Sequence, residues 1–274
     1  MIKRSAPAKI NLSLEITGKR PDGFHNLRSL FCPLDLCDTL EITDADAFTF
    51  TCSDPGVPAD DTNLVVRAAR AFGGGTLPPV RIALEKRIPH SAGLGGGSSD
   101  AASTLLLLNE RAGHPRTLTE LSTLGAALGS DVPFFLHQSP AWCEGRGEIV
   151  HPVTLSTPFA VLLFRPPFGV PTPWAYQHLA TSREVPDFSY VAQETPVGRL
   201  INDLERPVFQ KYLLLGVAKQ WLCAQPEVWG ALMSGSGSTV FALTASLAEA
   251  EVVRERMVAE FGSEAWYYCA EPLL

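Results

Sequence analysis

The stretch Gly93-Leu94-Gly95-Gly96-Gly97-Ser98-Ser99-Asp100 decides the fold, because it stands directly before a strong helical pattern that ends at Gly113. Glycines adopt the positive φ angles that aim successive backbone N–H groups at one anion. The first turn of the following helix adds unpaired N–H donors and a partial positive charge. The hydroxyls of Ser98 and Ser99 can reach phosphate oxygens or a bound cation. The stretch therefore predicts a phosphate-binding loop and not a flexible linker.

Two familiar phosphate-binding motifs are excluded at this loop. A P-loop requires Gly-Lys-Ser/Thr, and no lysine lies within the stretch. A dinucleotide-binding fingerprint requires a third glycine at position 98, which is serine. The loop is therefore of another kind.

Patterns on both sides of the loop predict a mixture of strands and helices. Alternating apolar residues predict a strand around residues 10–16, a loop over 17–26, and further strands at 40–43, 48–51 and 80–84. Helices are expected to begin at Asn63, at Thr117 with a capping box to Glu120, and at Ser246 with Glu249. Strands punctuated by prolines follow residue 150, the most apolar at 159–164. Without a regular βαβ repeat, this order predicts the α+β class with two layers in each domain.

Length and composition exclude several classes of protein. The 274 residues can bury a sizeable core, and 46% of them are hydrophobic. A net charge of −7 is unfavourable for binding nucleic acid, so a phosphate ligand must be held by a local site. The six cysteines form no CxxC pair, which favours free thiols in a reducing compartment. No signal-peptide core and no membrane-spanning run is present, so we expect a cytoplasmic protein without a membrane partner.

Three further segments could carry chemistry, and each also has a purely structural interpretation. Lys9 and Asn11 share one face of the first strand, where they either reach a ligand or are solvated. Asp131 follows a helix end and precedes an apolar run, so it is either a general base or a turn-forming residue. The segment 234–239, Ser-Gly-Ser-Gly-Ser-Thr, is either a tight turn or a second glycine-rich wall of the phosphate site.

Taken together, these segments resemble the three motifs of the GHMP kinases. The motifs are Pro-Ala-Lys-Ile-Asn-Leu at 7–12, Gly-Leu-Gly-Gly-Gly-Ser-Ser-Asp-Ala-Ala at 93–102 and Ser-Gly-Ser-Gly at 234–237. Within that superfamily, Ile-Thr-Gly-Lys-Arg-Pro-Asp-Gly-Phe-His at 16–25 is similar to the 4-diphosphocytidyl-2-C-methyl-D-erythritol kinase family. The likeness extends to segments 61–64, 129–133 and 171–173, and so spans nearly the whole chain.

The resemblance implies a two-domain GHMP kinase fold with the active site in the cleft between the domains. The first domain is expected over residues 1–152, with the loop and the catalytic lysine and aspartate, and the second over 153–274. The implied activity is ATP-dependent phosphorylation of the 2-hydroxyl of 4-diphosphocytidyl-2-C-methyl-D-erythritol. This reaction belongs to the methylerythritol phosphate route to isoprenoid precursors. Magnesium is implied as the ion carried with ATP. Ser99 is a candidate contact, but the sequence defines no set of protein ligands for the ion.

The resemblance also assigns roles to individual residues. Asp131 matches the family's base and Lys9 the lysine that orients the attacking hydroxyl. ATP would be bound by Asn63, Leu64, Lys86, Pro89, His90, Ser91, Ala92, Gly93, Leu94, Gly95, Gly96, Gly97, Ser98 and Ser99. The cytidyl substrate would be bound by Asn11, Phe24, His25, Thr172 and Tyr176. The family commonly has tyrosine in place of Phe24, so stacking is retained here but a hydroxyl hydrogen bond is lost.

Two alternatives fit parts of the pattern. Another GHMP kinase, acting on mevalonate, homoserine or a sugar, would share the fold, but segment 16–25 favours a cytidine pocket. A nucleotide-binding regulator without catalytic activity would have lost Lys9 or Asp131, and both are present.

Overall fold

The computed structural model describes residues 1–274 and contains twelve strands and eight helices. The strands are β1 (Ile2–Lys19), β2 (His25–Asp44), β3 (Thr49–Cys52), β4 (Val80–Glu85), β5 (Ala141–Gly145), β6 (Ile149–Pro152), β7 (Ala160–Arg165), β8 (Gln193–Thr195), β9 (Gly198–Asn202), β10 (Gly230–Met233), β11 (Val240–Thr244) and β12 (Trp266–Ala270). The helices are α1 (Leu64–Phe72), α2 (Gly96–Arg111), α3 (Leu118–Leu128), α4 (Val132–His137), α5 (Thr172–His178), α6 (Glu205–Lys211), α7 (Leu213–Cys223) and α8 (Leu247–Phe261). None of these helices combines the length and apolar character needed to cross a membrane.

The larger sheet is built on a long antiparallel hairpin of β1 and β2. Its main path runs β3-β4-β2-β1-β9-β8, while β5 pairs with β2 and β6 with β5. The register of the hairpin shifts between Pro7 and Lys9 and again between Asn11 and Ser13. Such irregularities bend a strand and re-aim its side chains. The two residues of interest on β1, Lys9 and Asn11, lie between these shifts.

Apolar packing joins the two halves of the chain. The smaller sheet runs β10-β11-β7-β12, with all neighbours antiparallel. Its side chains Val161, Leu163 and Phe241 share a buried cluster with Ile10 and Leu12 of β1. Strand β9, from the second half of the chain, pairs in parallel with β1. The larger sheet thus extends across the predicted boundary at residue 152, and the division into 1–152 and 153–274 stays a prediction.

Several local predictions are confirmed by the structure. Asn63 caps α1 by accepting a hydrogen bond from the N–H of Val65, and Thr117 and Glu120 form the capping box of α3. Helix α2 follows the glycine-rich stretch, and α8 begins after Ser246.

One local prediction is wrong in extent, and one short helix was not predicted. The loop expected over 17–26 is only a tight turn at residues 20–24, because the hairpin ladder continues through Gly18 and Asn26. The apolar run after Asp131 forms the short helix α4, whose early Pro133 suits a first helical turn.

Candidate active site

A cleft of about 1160 Å³ lies where the three motifs at residues 7–12, 93–102 and 234–237 meet. Its walls come from the β1–β2 turn, the start of α2, the segment before α4, helix α5 and the turn before β11. All the site residues predicted from the sequence line this cleft, with Ser99 as the one exception. A cleft of this size exceeds the usual volume for a single small ligand.

Lys9 and Asp131 approach each other at the centre of the cleft. The Nζ atom of Lys9 lies 3.8 Å from Oδ2 of Asp131. The Lys9 side chain is almost fully buried, whereas 32% of the Asp131 side chain is exposed to the cleft. Burial lowers the pKa of Lys9 below its ordinary value, and the Asp131 carboxylate opposes that shift. The pair combines a buried cation with an accessible carboxylate.

Asn11 fixes the position of the Lys9 amine. Lys9 Nζ donates to Oδ1 of Asn11 at 2.6 Å, and Asn11 Nδ2 donates to Oγ of Ser29 at 2.9 Å. The Ser29 hydroxyl in turn donates to the carbonyl oxygen of Ser13. This chain of hydrogen bonds connects β1 to β2 beneath the cleft. The solvated interpretation of Lys9 and Asn11 is therefore wrong, because both are buried and hydrogen-bonded.

The glycine-rich loop presents unpaired donors to the cleft. Gly93 and Gly95 have φ angles of +78° and +73°, while Gly96 already belongs to α2. Helix α2 has no side-chain cap at its start. The N–H groups of Gly96, Gly97 and Ser98 make no hydrogen bond within the chain. Free donors at a helix N-terminus are the arrangement that binds phosphate.

Segment 234–239 packs directly against this loop. Ser234 Oγ donates to the carbonyl oxygen of Gly93 at 3.0 Å, and the N–H of Thr239 donates to that of Ala92 at 3.1 Å. A Cβ atom on Gly93 would lie 2.3 Å from the Ser234 carbonyl oxygen, so only glycine permits this approach. The segment turns between β10 and β11 and also forms a wall of the cleft.

Ser99 is the predicted site residue that does not line the cleft. Its side chain is fully buried, and its N–H already donates to the carbonyl oxygen of Gly95 at 2.9 Å. Its hydroxyl has no hydrogen-bond partner within the chain, whereas Ser98 lines the cleft. A contact of Ser99 with phosphate or magnesium therefore stays a prediction.

Aromatic rings gather at the opposite end of the cleft. The rings of His25 and Tyr176 stack with their centroids 5.5 Å apart and an interplanar angle of 29°. Phe24 is 52% exposed, and the Arg146 guanidinium lies 5.2 Å from the centre of its ring. Thr172 Oγ1 lies 2.8 Å from the hydroxyl oxygen of Ser236 and joins α5 to the third motif. Exposed and partly buried rings of this kind offer π-faces to a flat base.

Sequence reasoning missed several residues of the cleft. Arg146 lies in the β5–β6 turn, and Gly147 of the same turn lies close to Asp131. Neither residue belongs to a motif, and the β5–β6 hairpin was not predicted. Lys19 and Gln177 also line the cleft. Only their nearness in sequence to predicted site residues could have indicated this position.

Comparison with known proteins agrees with the geometry. Residues 63–139 match the GHMP kinases N terminal domain, and residues 192–264 match the GHMP kinases C terminal model. A 4-diphosphocytidyl-2-C-methyl-D-erythritol kinase of Methylacidiphilum infernorum (isolate V4) is 47% identical over 255 residues, which cover 88% of this chain and 86% of that protein. The protein of the same name from Geobacter metallireducens is 40% identical over 97% of this chain and 96% of its own length.

Solved structures give the same result. A crystal structure of 4-(cytidine 5'-diphospho)-2C-methyl-D-erythritol kinase has a TM-score of 0.79 and 36% identity, covering 98% of this chain and 99% of that one. A homoserine kinase from Cytophaga hutchinsonii has a TM-score of 0.69 at 17% identity, covering 99% of this chain and 95% of that one. That second likeness shows the fold alone.

Proposed function

The chain belongs to the 4-diphosphocytidyl-2-C-methyl-D-erythritol kinase family of the GHMP kinases, and from this premise we propose which groups of the cleft carry out the reaction. It is an ATP-dependent small-molecule kinase. It phosphorylates the 2-hydroxyl of 4-diphosphocytidyl-2-C-methyl-D-erythritol in the methylerythritol phosphate pathway. The observation that carries the assignment of roles is the approach of Lys9 Nζ to Asp131 Oδ2, 3.8 Å apart between the phosphate loop and the aromatic end.

Asp131 acts as the general base. The oxygen of the 2-hydroxyl forms a bond to the γ-phosphorus of ATP while the bond from that phosphorus to its bridging oxygen breaks. The hydroxyl proton passes to the Asp131 carboxylate, and the bridging oxygen leaves with ADP. Lys9 holds the attacking oxygen and the carboxylate in place, since Asn11 fixes its amine. Positioning and charge stabilisation supply most of the catalysis in such a transfer.

The glycine-rich loop binds the ATP phosphates. The free N–H groups of Gly96, Gly97 and Ser98 support this role. Asn63, Leu64 and Lys86 are placed at the adenosine end, and all three line the cleft. The side chain of Asn63 caps α1, and this hydrogen bond fixes the wall of the cleft at the adenosine end.

Magnesium enters as part of the ATP substrate, where it neutralises charge on the phosphates. The chain has no group of three or more His, Cys, Asp or Glu side chains placed to hold a metal ion, which fits an ion carried by the ATP phosphates. The Ser99 hydroxyl is buried without a hydrogen-bond partner, and its proposed contact with ATP is kept as predicted.

The aromatic end binds the cytidine of the substrate. Phe24, His25 and Tyr176 supply π-faces, and the exposure of Phe24 supports stacking of a base on its ring. Asn11 and Thr172 are placed near the diphosphate or the polyol. A cytoplasmic location is supported by the six free thiols, and the charge of −7 supports small molecules and not nucleic acid as partners.

The test is ADP release from Mg-ATP with each of four acceptors: 4-diphosphocytidyl-2-C-methyl-D-erythritol, mevalonate, homoserine and galactose. Turnover with the cytidyl acceptor alone supports both the reaction and the aromatic pocket. Turnover with another acceptor would retain the kinase but contradict the pocket. Binding of ATP without turnover of any acceptor would indicate a regulator.

A further inference from the structure

Three charged side chains lie together beneath the glycine-rich loop: Lys86, which is assigned to ATP, and two carboxylates that have no role so far, Asp38 and Asp100. Lys86 Nζ lies 2.8 Å from Oδ2 of Asp100 and also donates to Oδ2 of Asp38. All three side chains are less than one tenth exposed. The cluster joins the residue that follows β4 to β2 and to the second turn of α2. Two carboxylates thus share one ammonium group in the floor of the cleft.

Asp38 also accepts hydrogen bonds from the backbone, in addition to that from Lys86. Its Oδ1 atom accepts hydrogen bonds from the backbone N–H groups of Arg87, at 2.5 Å, and Ile88, at 2.8 Å. The β2–β4 ladder ends with the pair Thr39 and Glu85. Beyond that pair, the Asp38 carboxylate accepts the hydrogen bonds of the backbone N–H groups in place of a strand partner. Asp38 therefore fixes both the side chain of Lys86 and the backbone that leads from β4 towards the loop.

The close packing of Gly96 shows where the Lys86 amine points. A Cβ atom on Gly96 would lie 3.3 Å from Lys86 Nζ and 3.1 Å from Cγ2 of Ile88. The amine therefore lies against the first residue of α2, whose N–H group is free. Lys86 also lines the cleft, so its positive charge and the helix N-terminus face the same part of it.

We propose that Asp38 is a positioning residue for ATP, acting through Lys86 and through the backbone of residues 87–88 to hold the Lys86 amine beside the free N–H groups at the start of α2. This inference rests on the proposed function, since ATP is the ligand it serves. A fully buried carboxylate is unfavourable unless its charge is paired and its oxygens are hydrogen-bonded. Asp38 meets both conditions, whereas Oδ1 of Asp100 has no hydrogen-bond partner. The two carboxylates are therefore unequal, and Asp38 has the larger structural role.

The test is a double-mutant cycle on the affinity for Mg-ATP, measured by titration calorimetry without an acceptor. Asp38→Asn keeps the shape of the side chain and one carbonyl acceptor, but it removes the charge that pairs with Lys86. We expect it to weaken ATP binding about 10-fold, as for loss of a charge-assisted hydrogen bond. Lys86→Met should weaken binding at least as much. In the Lys86→Met background, Asp38→Asn should add a change of less than about 2-fold, because the asparagine oxygen still accepts from the N–H groups of Arg87 and Ile88 and only the effect through Lys86 is lost.

Two further measurements separate positioning from general structural damage. The KM for the cytidyl substrate should change less than about 2-fold in Asp38→Asn, since that substrate lies at the other end of the cleft. Asp100→Asn should weaken ATP binding less than Asp38→Asn, because Asp38 still holds the lysine. Thermal unfolding of each variant establishes that it is folded.

Unchanged ATP affinity in Asp38→Asn would overturn the proposal. Additive losses in the double variant would overturn it as well, as would an equal rise in the KM of both substrates. The proposed function fails separately, if the wild-type protein binds ATP but does not phosphorylate the cytidyl acceptor. The calorimetric cycle reports on Asp38 in either case, because it requires no turnover.

Discussion

Substitution of Gly95 by alanine tests the geometry that brings the phosphate loop and Lys9 together. Gly95 has a φ angle of +73° and stands immediately before α2. A Cβ atom there would lie 2.8 Å from Cζ of Phe135 and 3.1 Å from Cγ of Lys9. Phe135 is buried and packs edge-on against Phe134, so it has little room to move away. The added methyl group must therefore displace the loop or the stem of Lys9.

The expected loss of stability in Gly95→Ala has two contributions. The left-handed backbone of an alanine costs about 1–2 kcal/mol, and overpacking of a tight site costs about 1–3 kcal/mol. Gly95→Ala should therefore lower the free energy of unfolding by about 2–5 kcal/mol. Displacement of Lys9 relative to Asp131 should lower kcat by about 10- to 100-fold, since small errors in placement have large kinetic effects.

Gly74→Ala provides the matched control. Gly74 has a similar φ angle of +67°, but nothing lies within 4 Å of its Cβ position and it does not line the cleft. Gly74→Ala should lose only the contribution of the left-handed backbone to the free energy of unfolding, about 1–2 kcal/mol, and should keep its kcat. The measurements are urea unfolding and ADP release for both variants. Equal stability losses with a normal kcat in Gly95→Ala would refute the argument from close approach.

Two more predictions concern the ends of the cleft. Phe24→Ala should raise KM for the cytidyl substrate about 5- to 150-fold through loss of about 1–3 kcal/mol of stacking, with ATP affinity unchanged. Substitution of the exposed Leu118 by alanine is the control. An unchanged KM in Phe24→Ala would contradict the proposed cytidine pocket. Burial raises the pKa of Asp100 to about 7, with Asp38 acting in the same direction and Lys86 opposing. Because the folded chain then holds a proton that the unfolded chain releases, Asp100 destabilises the fold increasingly as pH rises from about 4 to about 7. The free energy of unfolding of Asp100→Asn should therefore rise relative to that of the wild type between pH 5 and pH 8. An unchanged difference between the two proteins at the two pH values, measured by urea unfolding, would contradict this.

The sequence predicted those parts of the site that are held in short, local patterns. The glycine-rich loop followed by α2 is one such pattern, because both the positive φ angles and the helix start are local properties. Lys9 and Asn11 were predicted to share a face, and they do, although the register shifts beside them left no recognisable signal. His25 and Tyr176 could be assigned to the same pocket only through the family resemblance. They lie 151 positions apart in the sequence, and many strands and helices separate them.

Other features depend on long-range packing and could not be predicted. Asp38 is one acidic residue among several in β2, and its importance arises from pairing with residues 86–88, about 50 positions away. The different burial of Ser98 and Ser99 could not be predicted because two adjacent hydroxyls look alike in sequence, while the packing of α2 buries only Ser99. Helix α4 was missed because six residues are too few for a helical period to emerge.

The measurement that tests the central assignment most directly compares Asp131→Asn with the wild-type protein, with Mg-ATP and the cytidyl substrate both saturating. We expect an unchanged affinity for ATP and a fall in the rate of phosphoryl transfer of about 100-fold or more, because the amide cannot accept the hydroxyl proton. A rate within a few-fold of wild type, with the fold and ATP binding intact, would contradict the assignment of Asp131 as the base.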